Sequence, residues 1–328
     1  MHKSIRIILT TTLLMLAGAS FAHSTLKEVT VAYFLEWPTP NQVAQLEQTL
    51  DKEMGVKVSW RAFGNGNEIT AAMISGDVHI AYSQGHVPFI LAANKGVPIK
   101  LVGVAVAYAE NDNCIIRSDA GIIKDNPKAL EGKRVTTLIG NVTHYKFLRS
   151  LDHLGVDVNK VDVLAMDDGA ADALIRGDVV MACAFGGPLA RMKTVGFPLL
   201  TGAEQEAYGI RVFDVISTTN DFAQNHRELL VKFLQVTEDA NNRYHADPKT
   251  KIPTIAQAAG MSKKDTRDTI GKFIFPSATE QISDAWMGGT VEAYTTEIVY
   301  FMVGAGEMDQ ALNDYSNFVD TSFLQQVG

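Results

Sequence analysis

The sequence predicts an α/β protein built as two similar doubly wound units, and two observations carry that expectation. A ten-residue phrase occurs twice, as Ala72-Met73-Ile74-Ser75-Gly76-Asp77-Val78-His79-Ile80-Ala81 and as Ala173-Leu174-Ile175-Arg176-Gly177-Asp178-Val179-Val180-Met181-Ala182, with six of the ten positions identical. Each copy reads as the last turn of a helix, a glycine in the left-handed conformation that ends it, and a buried strand. Around each copy strand and helix patterns alternate, as they do in a parallel sheet with helices on both faces. Two such units imply a cleft between them, the usual seat of a small ligand.

The elements follow in order. Val29 to Tyr33 is a strand, and Gln42 to Met54 is an amphipathic helix with Val43, Leu46, Leu50 and Met54 on one face. Val56 to Trp60 is the next strand, Asn67 to Ser75 a helix, Val78 to Ala81 a strand, and Phe89 to Lys95 a helix after Pro88. The apolar run Ile99 to Ala107 leads to the polar connector Glu110-Asn111-Asp112-Asn113, read as the crossing into the second unit. There the plan repeats, with strands near 134–137, 161–164 and 179–184 and helices near 143–154, 169–176 and 187–195. Asp214 to Thr218 is the return strand, and the remainder is mostly helical, including Arg227 to Tyr244 and Ile282 to Gly304. The expected division is 1–22 as a leader, 23–110 with 215–328 as the first lobe, and 111–214 as the second.

The ends and the composition bound the function. Lys3 and Arg6, the short apolar run Ile7 to Ala19 and the small-x-small site Ser20-Phe21-Ala22 make a secretory signal, so the mature chain is expected to begin at His23 in the periplasm. No later stretch has the roughly 18 to 20 apolar residues of a spanning helix, so no membrane insertion is expected. The net charge of -8 comes without a basic run, which argues against a nucleic-acid partner. Cys114 and Cys183, the two cysteines, lie in apolar strand-like runs. They could pair in an oxidising compartment, and free buried cysteine is also an ordinary core residue, so the pairing stays open. No zinc spacing, no Gly-x-Ser-x-Gly elbow and no Gly-x-Gly-x-x-Gly turn occurs at a strand-to-helix junction, so neither cofactor nor catalysis is expected.

The chain resembles the solute-binding proteins of ABC importers, in the taurine, sulfonate and nitrate branch. The resemblance rests on Val31-Ala32-Tyr33, Trp60-Arg61 with Phe63, Ser75-Gly76-Asp77-Val78, Gly132-Lys133-Arg134, Thr143-His144-Tyr145, Arg176-Gly177-Asp178, Asp214-Val215 and Asn313-Asp314-Tyr315-Ser316. It implies a two-lobe periplasmic binding protein of the Venus-flytrap type II form, with a hinge of two crossovers. Such a protein is monomeric, captures a small solute and delivers it to a permease driven by an ATPase. The expected solute is an amine-bearing zwitterion, taurine or a related aminosulfonate; the alternatives are a choline-like or betaine-like cationic amine, and an enzyme of the thiamine-pyrimidine-synthase-like fold.

Ligands of doubly wound sheets sit beyond the carboxyl ends of the strands, where helix N-termini favour anions. The segments in that position supply Glu36, Trp37, Asn65, Asn67, Tyr82, Gln84, His86, Asn141, Thr143 and His144 as candidate ligand contacts. The resemblance places Asp214 where a relative's acid receives the ligand's ammonium group, and Phe185 near a strand-end tryptophan. Glu36-Trp37 and Gln84-Gly85-His86 depart from the family pattern. An acid with an indole replaces a small polar loop, and a hydroxyl pair suited to an oxyanion is missing, which moves the expected ligand toward a stronger cation. Trp37, Tyr82 and Phe185 are candidate cation-π walls.

Overall fold

A computed structural model describes residues 26–166 and 168–327. The expected signal at 1–22 and the expected mature terminus at His23 lie outside the described residues. Among the described residues ten strands run in chain order as β1 (Glu28–Phe34), β2 (Lys57–Phe63), β3 (Ile80–Gly85), β4 (Ile99–Tyr108), β5 (Asp112–Arg117), β6 (Arg134–Thr137), β7 (Asp162–Ala165), β8 (Met181–Phe185), β9 (Gly196–Pro198) and β10 (Val212–Thr219). They form two five-stranded sheets, ordered β2-β1-β3-β10-β4 and β7-β6-β8-β5-β9.

The two orders are the same plan. In the first sheet β1 pairs in parallel with β2 and β3, while β10 runs antiparallel to β3 and β4. In the second, β6 pairs in parallel with β7 and β8, while β5 runs antiparallel to β8 and β9. The sheets are therefore mixed where strand–helix alternation alone suggests parallel ones. The antiparallel fourth strand of each is the strand by which the chain arrives from the other unit, so it enters from the opposite end.

The repeated phrase folds the same way twice. Gly76 and Gly177 take φ of 82° and 85°. The amides of Asp77 and Asp178 donate to the carbonyls of Ala72 and Ala173, each at 2.9 Å. The next strand is then handed to the sheet by His79 N–H to Thr30 O and by Val180 N–H to Arg134 O, each at 3.0 Å.

Two expected helices differ from those observed. Gln42 to Met54 is two short helices, Asn41–Glu47 and Thr49–Met54, broken by Gln48 in the left-handed region at φ 52°. The span from Ile282 to Gly304 holds turns up to Gly289 and a helix only over Thr290–Gly304. There the turn packs Gly288 against the Ser283 backbone, where a Cβ would come within 2.7 Å. Helices Asn220–Asn225, Arg227–Ala246, Pro248–Ala259, Lys263–Ile270 and Ala278–Gln281 make up the rest of the helical part among the described residues.

Strands β3 and β4 are buried along nearly their whole length, as expected of a sheet covered on both faces. The second sheet has an additional, smaller core of Ile115, Ala171, Ala173, Leu174, Val179, Ala182, Leu189 and Met192. It also carries a covalent tie: Cys114 on β5 stands directly opposite Cys183 on β8, and the two are disulfide-bonded. This settles the pairing that the sequence leaves open. Helix Thr290–Gly304 lies against helix Val142–His153 through the Tyr145 and Tyr294 hydroxyls, 3.2 Å apart.

Candidate functional site

Both crossings between the sheets meet at one point, and each delivers an acid to it. Asp112 is the first residue of β5 and pairs with Phe185; Asp214 is the third of β10 and pairs with Gly85. Together with Phe34, Trp37, Tyr108, Asn141 and Val142 these residues enclose a cavity of about 20 Å³ between the sheets. Among the described residues no lysine or arginine lines it.

The acid on β10 is held by a relay. The Trp37 indole N–H donates to Ser83 Oγ at 3.0 Å, and the Ser83 hydroxyl donates to Asp214 Oδ2 at 2.7 Å. The Tyr108 hydroxyl donates to Asp214 Oδ1 at 2.8 Å. Ser83 reaches this position because β3 bulges there: Gln84 pairs with Val215 and Tyr82 with Ile216, leaving Ser83 over, at φ 72°. A bulge re-aims one side chain at a small backbone cost. Despite these donors, burial raises the Asp214 pKa to about 7, and the nearby Asp112 adds to the shift.

Asp112 is less well provided for. Its Oδ1 is buried and lacks a hydrogen-bond partner. The buried Lys146 ammonium donates to the Ala109 carbonyl at 2.7 Å and also to the Asp112 carbonyl, which fixes the first crossing rather than neutralising the carboxylate by direct contact. Burial raises the Asp112 pKa to about 6, with the Lys146 charge and the neighbouring Thr143 hydroxyl opposing, and burial likewise lowers Lys146 to about 8. The two acids sit in one low-dielectric space and titrate as a pair.

Aromatic rings form the remaining walls. Trp37 meets Tyr108 edge-on at 4.9 Å between centroids and Phe185 at 5.7 Å, and Phe34 lies 6.0 Å from Phe185. A cavity with two acids and several π-faces favours a cation. Beside it begins the twelve-residue helix Val142–His153, whose Asn141 N-cap makes no side-chain capping bond. Asn141 Nδ2 and Thr143 Oγ1 are buried without partners, so donors suited to an anion or a carbonyl stand at a positive helix end.

The structure sorts the residues expected from sequence. Trp37, Asn141, Phe185 and Asp214 line the cavity. Glu36 and Thr143 line a neighbouring, larger cleft between the sheets. The other six are engaged elsewhere. Asn65 caps helix Gly66–Ile74 by accepting from the Asn67 and Glu68 amides, and Asn67 Nδ2 donates across the cleft to the Ile139 carbonyl at 3.1 Å. Tyr82 points into the first sheet's core against Phe233. Gln84 is bonded to Thr70 and Ser217. His86 bonds Thr295 at 2.9 Å, stacks on Phe213 and is held neutral by burial, with its pKa lowered to about 3. His144 accepts from the Gly140 amide, stacks on Phe147 and is lowered to about 4 by burial. Neither histidine is therefore a cation for an anionic ligand.

Sequence reasoning placed the segments that hold Phe34 and Ser83 at the cleft without singling those two residues out, and it missed Tyr108 and Asp112. Asp112 reads as a solvated connector residue, and only the pairing of β5 with β8 shows that it is buried. The signal that was available is symmetry: each unit has a crossing strand, and an acid lies near the start of each one.

Two similar sheets, joined by crossings that meet at a buried polar site between them, make the two-lobe α/β architecture of the periplasmic binding proteins. The chain belongs to the NMT1/THI5-like family, whose pattern matches residues 51–251. It is 28% identical over 305 residues to the taurine-binding periplasmic protein of Escherichia coli (strain K12), covering 90% of this chain and 92% of that one. In fold it is similar to the alkanesulfonate-binding protein SsuA from Xanthomonas axonopodis pv. citri bound to MOPS, at TM-score 0.73 and 17% identity over 90% of this chain and 98% of the other. The periplasmic aliphatic sulphonate binding protein SsuA of Escherichia coli matches at TM-score 0.69 and 16% identity, with 92% of each chain covered.

Proposed function

We propose that this chain is the periplasmic solute-binding component of an ABC importer, and that its solute is a small organic amine, with taurine and related aminosulfonates first. The observation that carries the amine is the pair Asp112 and Asp214, each buried, each with a raised pKa, on a cavity lined by no basic side chain among the described residues. A buried acid pair is costly when unneutralised, and an ammonium between them returns that cost as affinity. The similarity to a taurine-binding protein supports taurine, whose sulfonate suits the free donors of Asn141 and Thr143 at the start of helix Val142–His153. In this reading the units 23–110 with 215–328 and 111–214 close about the two crossings, as hinged binding proteins do.

A second reading, a choline-like or betaine-like amine, is suggested by the rings of Trp37, Tyr108 and Phe185 and requires the cavity of about 20 Å³ to widen around a trimethylammonium head. A thermal-shift screen of the purified protein separates the two. A ligand at a hundred times its Kd adds about 2.7 kcal/mol. Taurine and homotaurine should raise Tm by several degrees, with choline and glycine betaine smaller; the reverse order selects the second reading. A response to simple alkanesulfonates without any to amines would defeat the amine assignment.

A further inference from the structure

The cavity that holds the acids is about 20 Å³, room for little more than a water-sized group. Next to it lies a cleft of about 480 Å³. Phe185 belongs to the walls of both. The larger space is chemically unlike the smaller: Leu35 and Phe63 face it from the first sheet, and Leu138, Met166, Ala170 and Pro188 from the second. Charged residues stand at its edge, Glu36 half-buried and Asp168 and Arg191 exposed. Leu35 is 51% exposed, a leucine held open beside the site. It is kept there by the Glu36 turn, at φ 54°, whose amide donates to the Ala259 carbonyl at 2.8 Å.

Resting on the amine reading above, we propose that the natural solute is an amine carrying an apolar substituent: the ammonium enters the acid cavity and the substituent passes Phe185 into the larger cleft. The inner space admits the head alone, so the rest of any solute must lie outside it. The adjoining space is mainly carbon-lined and contributed by both units, so an apolar substituent there is removed from water on both sides and holds the units together.

The test is calorimetric titration at pH 8 with primary n-alkylamines from methylamine to hexylamine, using millimolar ligand. Burial of a methylene in an apolar site is worth about a fourfold gain in affinity, so affinity should climb about fourfold per carbon over several carbons. Ala170→Trp and, from the opposite wall, Ala62→Trp fill the cleft without touching the acid cavity. Both should keep methylamine affinity and flatten the series; Ala62 is exposed, so the second variant is expected to fold even where the first does not. If methylamine binds but the wild-type series is flat, the apolar substituent is wrong and the amine reading stands. If no amine of the series binds, both fall.

Discussion

The two crossing strands are counterparts that do different work. β5 starts with Asp112 opposite Phe185 at the end of β8, and β10 brings Asp214 opposite Gly85 at the end of β3. Where the second unit presents a ring, the first presents no side chain. A Cβ at Gly85 would come within 2.8 Å of Val142 Cγ2, on the helix start of the other unit, so glycine there is what lets the units meet. The acids differ as well. Asp214 is gripped by Ser83 and Tyr108, whereas Asp112 Oδ1 has no partner. One duplicated plan thus gives a directional site, with a fixed acid on one side and, on the other, an unpartnered acid under an aromatic cover.

Replacing either acid tests this contrast with the largest expected effect. Asp112→Asn and Asp214→Asn should each cost about 2–5 kcal/mol in amine binding, as loss of one partner of a buried charge pair does. The free protein should hold or gain stability, because a buried charge is removed. Asp112→Asn should be the cleaner of the two, since Asp214→Asn also disturbs the Ser83 and Tyr108 donors. Calorimetry combined with urea unfolding checks both, and a variant that loses stability but keeps affinity would make its acid structural.

The disulfide sharpens the comparison of the two cores. It ties β5 to β8 beside the smaller core, across a sequence separation of 69. Cys114→Ala with Cys183→Ala should cost about 2–4 kcal/mol of stability, read as a lower urea midpoint. Equal stability in the double variant would show that the second core suffices alone.

Smaller effects follow at the strand ends. Phe185→Ala should weaken cation binding by about 0.5–2 kcal/mol with the relay around Asp214 intact. Gly85→Ala should act through geometry, leaving the radius of gyration in solution scattering larger with saturating amine than in the wild type. Identical scattering for Gly85→Ala and wild type would remove the close approach from the account.

Much of the fold was legible because its signals are local. The glycine of each repeat, the apolar runs of the strands and the helical spacing of Arg227 to Tyr244 act over a few residues. The break at Gln48 and the turns from Ile282 to Gly289 were not, because tertiary packing overrides a continuous helical pattern there. The site was half legible for the same reason. Trp37 and Asp214 stand in segments whose placement beyond strand ends can be read, whereas Ser83 enters by a one-residue bulge and Asp112 by antiparallel pairing across a crossing. Tyr82, Gln84 and His86 were drawn to the site by adjacency in sequence, but their side chains are engaged within the first unit, against Phe233, Ser217 and Thr295.

The central claim is that the two crossings build one cation site from paired acids, and proton linkage tests it most directly. Both carboxyls have raised pKa values, to about 6 and about 7. They therefore favour the folded free protein most below the ordinary carboxylate range, and that contribution is lost as pH rises through those values. A cationic solute needs the ionised pair, so its affinity should fall as pH drops below about 7 and binding near pH 6 should release protons. Calorimetry with an amine at pH 6, in buffers of different ionisation enthalpy, should give a release of about one proton or more that disappears in the Asp112→Asn, Asp214→Asn double variant. Binding without linked protons in the wild type, with affinity unchanged in the double variant, would contradict the account.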